Sequence, residues 1–86
     1  MALNYQELQK RLIAFLSERV HSGEMTERGL ARTTGVSQPH IHNVLKGKRL
    51  FSMEMADIIL WRLHLDVLDL LSPEDLVEWQ RRHPTP

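Results

Sequence analysis

The stretch "ARTTGVSQPHIHNVLKG", residues 31–47, decides how the chain is read. A short amphipathic segment stops at Gly35, and a second one restarts at Ser37 or Gln38. The second segment keeps Ile41, Val44 and Leu45 on one face at helical spacing. Its other face carries Gln38, Pro39, His42, Asn43 and Lys46, mostly neutral groups that form hydrogen bonds or pack. An ordinary solvated helix more often shows Glu and Lys there. Pro39 falls in the first turn, where a missing N–H costs nothing. The stretch therefore predicts two short helices joined by about three residues, with Gly35 free to take the positive φ of a tight turn.

Working outward, Thr26 caps the first helix of the pair, and Leu30 and Ala31 face inward. Further upstream, Asn4 and Glu7 are spaced for a capping box. Leu8, Leu12, Phe15, Leu16 and Val20 then form an apolar stripe that ends at Gly23. Downstream, Gly47 closes the second helix of the pair, and Ser52 opens another through Ala56, Ile59, Leu60 and Leu63. A short helix is expected near residues 67–71. "SPED" at residues 72–75 is a strong start signal for a last helix carrying Leu76 and Trp79. Nothing alternates with period two for long enough to make a strand, and no repeat is visible. The expectation is an all-α fold, a compact bundle of five or six short helices. One domain covers residues 1–83, with the helix pair at about 26–47 and a C-terminal helical segment at about 66–82. Residues 84–86 read as a disordered tail.

A chain of 86 residues buries a modest core. It shows no apolar run long enough to span a bilayer and no secretory leader. The absence of cysteine removes disulfides, thiolate zinc sites and cysteine nucleophiles. That fits a reducing cytoplasm, the expected location. The formal net charge is zero, yet the charges are segregated. Between positions 27 and 49, Arg28, Arg32, Lys46, Lys48 and Arg49 face a single acid, Glu27. Between positions 50 and 78 the only basic residue is Arg62, against Glu54, Asp57, Asp66, Asp69, Glu74, Asp75 and Glu78. A local basic field steers a polyanion whatever the net charge, although two solvated faces of opposite sign read the same way.

The helix pair sits in a wider pattern. Ala31 supplies a small side chain where the two helices touch, and Leu30, Val36, Ile41 and Val44 form the core beneath them. A helix precedes the pair, the loop "KGKRL" follows it, and "ADIILWRLHLDVLDLL" supplies two more helical segments. Over roughly residues 4–71 the chain resembles the phage-repressor and Cro-like (Xre-type) helix-turn-helix family. The resemblance implies a lambda-repressor-like DNA-binding fold whose second motif helix, residues 37–46, lies in the major groove of double-stranded DNA.

On that reading Gln38, Pro39, His42 and Asn43 are the base-contacting candidates. Amides pair with adenine N6 and N7, and a proline ring packs on a thymine methyl. Thr26 and Arg28 at one helix start, Ser37 and His40 at the next, and Lys46, Lys48 and Arg49 beyond it are the phosphate-contacting candidates. The family often has glutamine at position 27, where it touches the DNA backbone. Glu27 departs from that pattern and would repel a phosphate unless Arg28 neutralises it. Gly29, read as lying mid-helix, has no functional account at this level.

Other chemistry finds little support. His40 and His42 are two apart and share no helical face, so no metal site is expected. His64, where the family usually has glycine, reads as a helix C-terminal cap. Asp66 and Asp69 lie beside helix starts, where capping explains them. No nucleophile–base pair is evident, and neither an enzyme nor a cofactor is expected. The apolar surplus lies late in the chain, where Ile58, Trp61, Leu65, Leu76 and Trp79 mark a dimer or partner face. A satellite core folded under the last helix is the alternative. The function expected is a homodimeric, sequence-specific transcriptional repressor. A protein-interaction module on the same fold, such as the antitoxin of a toxin–antitoxin pair, is the other reading.

Overall fold

The computed structural model describes residues 4–83, so the expected tail at 84–86 lies outside the described residues. The described chain is all-helical. Its α-helices are α1 (Tyr5–His21), α2 (Glu27–Thr34), α3 (Gln38–Leu45), α4 (Met53–Arg62) and α5 (Pro73–Arg82), with a 3-10 helix at Val67–Leu70 between the last two. The short helix expected at residues 67–71 is thus a tighter turn. No helix among the described residues is long and apolar enough to cross a membrane.

Local capping sets most of the boundaries. The hydroxyls of Thr26, Ser37, Ser52 and Ser72 each accept an N–H from the third residue of the helix that follows. Asn4 Oδ1 accepts the Glu7 N–H at 2.9 Å, which is half of the expected capping box. The other half is not used that way, because Glu7 turns its carboxylate to Arg11 Nε at 3.6 Å. The complete boxes lie at Asp66/Asp69 and Ser72/Asp75, where each acid takes back an N-cap N–H at 2.7 Å. Asp66 and Asp69 are therefore both committed to backbone amides.

α3 packs on both α1 and α2, α2 packs on α4, and the 3-10 helix lies against α1. Leu12, Leu16, Leu30, Val36, Ile41, Val44, Phe51, Ala56 and Ile59 form the buried core. Burying each of the larger aliphatic chains stabilises the fold by about 1.5–3 kcal/mol before conformational entropy is charged. Two polar residues share this interior, and both are satisfied. Thr34 Oγ1 donates to Leu30 O at 2.8 Å and accepts the Val36 N–H at 3.3 Å. Gln9 Oε1 accepts the Phe51 N–H at 2.7 Å, which pins the loop after α3 onto α1.

α4 ends with its chain reversal at His64, which takes φ 57°, the left-handed region. Leu65 N–H bonds to Leu60 O at 2.8 Å and His64 N–H to Trp61 O at 3.2 Å, the two bonds of a Schellman cap. His64 thus holds the cap position expected of it, at a steric cost that glycine would not incur.

The C-terminal segment is tied down differently. α5 has no buried residue, and neither has the 3-10 helix before it. Arg11 on α1 meets both oxygens of Asp75 and donates to Leu70 O at 3.3 Å. Among the described residues of the 3-10 helix and α5, Leu70 packs partly buried against the core and none is fully buried. Ile58, Leu76, Trp79 and Trp61 lie on the surface, the last 72% exposed, and Leu65 is half-buried.

Candidate nucleic-acid interface

The face of α3 that opposes the core begins with its cap. Ser37 ends the α2–α3 turn in extended backbone, and its hydroxyl accepts the His40 N–H at 3.3 Å. Gly35 makes the turn possible with φ 79°, donating its N–H to Ala31 O at 2.8 Å. Gln38 is then the first helical residue and Pro39 the second, so the proline interrupts no helical hydrogen bond. Ile41 and Val44 are fully buried, which commits the helix rotation. Gln38, Pro39 and His42 are left exposed and Asn43 half-exposed.

These four side chains line one shallow depression of about 290 Å³, and Glu27 of α2 forms its remaining wall. The depression is rich in neutral donors and acceptors. The acid that seemed out of place in sequence has a partner there. His42 Nδ1 lies 3.0 Å from Glu27 Oε1 and 3.4 Å from Oε2. Arg28, the residue beside it that could have neutralised Glu27, is exposed, and the histidine of the neighbouring helix meets the acid. Residues 15 apart in sequence meet because the start of α2 crosses beside the middle of α3.

Cations and hydroxyls lie at the starts of α2 and α3 and beyond the end of α3. Thr26, Arg28 and Ser37 are exposed at the two helix starts, and Lys46, Lys48 and Arg49 are exposed where α3 ends and in the loop after it. The Thr26 hydroxyl accepts the Gly29 N–H at 2.9 Å and keeps its own proton to donate. Gly29 proves to be in the first turn of α2, not mid-helix. A Cβ added there would sit 3.1 Å from Thr26 Oγ1, so glycine leaves the capping hydroxyl uncrowded.

His40 differs from its companions. Its ring stacks on Phe51 with centroids 6.0 Å apart, its Nε2 is buried, and its Nδ1 is 3.5 Å from Arg49 Nη1. Facing a guanidinium, which only donates, Nδ1 is an acceptor, so His40 supports Arg49 in place of offering a donor of its own. His40 and His42 point to different neighbours, Phe51 and Glu27, as their spacing predicts. Sequence reasoning missed Phe51 as the ring platform and Glu27 as a wall of the depression. The second carried a signal, an acid at the start of one helix opposite a histidine on the next.

The apolar residues late in the chain form no part of this depression. Trp79 stacks on His83 at 4.4 Å, and Arg62 lies over the Trp61 ring at 5.2 Å, so each exposed indole has a cation-capable neighbour on its own helix or at its end. No family model, no curated protein and no solved structure matches the chain.

Proposed function

We propose that the chain is a sequence-specific DNA-binding transcriptional regulator of the lambda-repressor-like type, a repressor that places α3 in the major groove. One observation carries this reading. Gln38, Pro39, His42 and Asn43 line a single depression on the outer face of a helix whose opposite face is locked into the core. Base edges are read by fixed donors, acceptors and apolar contacts, and a groove about 12 Å wide admits a helix. The exposed Arg28, Lys46, Lys48 and Arg49 suit phosphates, which position a protein without specifying a sequence. The exposed Ile58, Trp61, Leu76 and Trp79 support a homodimer formed through the C-terminal segment.

Selection of bound duplexes from a random DNA pool tests the reading. One enriched sequence, held far more tightly than random duplex at physiological salt, supports it. Recovery of no preferred sequence rejects it. The second reading, an interaction module such as an antitoxin, is favoured by the same exposed tryptophans and by an α5 with no buried residue. A stable complex with an unrelated protein that covers Trp61 and Trp79, without sequence-selective DNA binding, would establish that alternative.

A further inference from the structure

The contact between Glu27 and His42 constrains what the depression can read. A carboxylate has no proton to give, so at 3.0 Å the proton between Glu27 Oε1 and His42 Nδ1 belongs to the ring. A neutral imidazole carries one N–H. When Nδ1 holds it, Nε2 is a bare lone pair. An imidazole free in water favours the opposite arrangement, so Glu27 selects the tautomer as well as the ring orientation. The His42 side chain remains 51% exposed and lines the same depression as the amides of Gln38 and Asn43.

Resting on the proposed DNA reading, we propose that Glu27 is a specificity-determining positioning residue. By holding the single proton of the neutral ring on His42 Nδ1 it makes Nε2 an acceptor, which reads the exocyclic amino group of adenine or cytosine at one base pair. The major groove offers such donors only at adenine N6 and cytosine N4, whereas guanine and thymine present acceptors at the corresponding positions. An acceptor on the protein therefore welcomes the first pair and repels the second. The arrangement also explains an acid on a DNA-facing surface. Its charge is turned sideways onto a ring, with the Glu27 side chain 26% exposed, and is not aimed outward at phosphate.

Two measurements test this, both at pH 8, above the ordinary histidine range. Nitrogen-15 chemical shifts of the free protein report which ring nitrogen of His42 carries the proton. We expect Nδ1–H in the native chain and Nε2–H in Glu27→Ala, with circular dichroism confirming that the variant is folded. Affinities on the selected site and its single-base variants form the second arm. Glu27→Ala should lower discrimination for adenine or cytosine about ten-fold at one base pair, the same one that His42→Ala affects. In the His42→Ala background the Glu27 change should have no further effect on base preference. Native His42 protonated on Nε2 would overturn the proposal even where DNA is bound selectively. So would a Glu27→Ala effect that persists without His42, since Glu27 would then contact the base itself. A native chain that binds every duplex equally would reject the DNA reading itself and the inference with it.

Discussion

Arg11 and Asp75, 64 positions apart, form a two-point ion pair that ties α5 to α1. The same carboxylate closes the α5 capping box by accepting the Ser72 N–H at 2.7 Å and the Ser72 hydroxyl at 3.0 Å. One acid thus starts the last helix and fastens it. Because α5 buries no residue, few other contacts hold it in place.

Asp75→Asn should therefore release α5 while leaving the α1–α4 core folded. The Arg11 guanidinium beside Asp75, then the Ser72 N–H, hold its carboxyl well below the usual carboxylate range. A depressed acid contributes stability that is complete above its unfolded value and is lost as pH falls through the folded one. The docking of α5 should weaken progressively below about pH 4. Amide hydrogen exchange along residues 73–82 is the readout, in the variant and across an acid series. Native-like protection of α5 in Asp75→Asn would show that the ion pair does not hold it. Arg11→Lys keeps the charge but loses the planar fork, and should give an intermediate result.

Gln9→Leu fills the same space with no acceptor. The Phe51 N–H would then lie buried without a partner, costing about 1–3 kcal/mol. Urea denaturation measures the loss. A change within experimental error would mean that the loop after α3 does not depend on α1 for this bond.

His64→Gly should stabilise the chain. A non-glycine residue at φ 57° pays a steric cost of about 1–2 kcal/mol. Part of any gain is offset by the greater freedom of glycine in the unfolded chain, so the net expectation is about 1 kcal/mol or slightly less. A higher melting temperature with an unchanged circular dichroism spectrum is the expected outcome. A lower one would imply that the imidazole contributes more to the cap than its backbone costs.

Asn43 and Lys48 should separate reading from holding. Asn43 lines the depression, and Lys48 lies exposed beyond the end of α3. Asn43→Ala should cost about 1–3 kcal/mol on the preferred site, relax one base pair and leave random duplex nearly unaffected. Lys48→Ala should weaken all sequences alike and reduce the slope of log affinity against log salt by about one per subunit. Affinities across a salt series decide it. The reverse pattern would mean that α3 is turned differently in the groove.

Trp61→Glu should dissociate the proposed homodimer, because it places a charge where the exposed indole would be covered. Sedimentation of the native chain should show a dimer and of the variant a monomer. The selected DNA should be a near-palindrome, with half-sites about 34 Å apart or a multiple of that. A native monomer at high micromolar concentration, with non-palindromic sites, would rule the homodimer out.

What the sequence determined by itself acts within a turn or two of helix, though not every local contact was legible: Glu7 pairs with Arg11 and does not complete the Asn4 box. Caps at Thr26, Ser37, Ser52 and Ser72 bond three residues ahead, and Gly35 meets a local φ requirement, so each could be read from spacing. The rotation of α3 followed from Ile41 and Val44, and with it the outward placing of Gln38, Pro39 and His42. Only the tertiary structure decided the partners of Glu27, Gln9 and Arg11. Those partners lie 15, 42 and 64 positions away, and no local propensity encodes such meetings. Each depends on how helices cross. A side chain's charge or amide shows only that it needs a partner, while packing of the apolar core brings that partner within hydrogen-bonding distance.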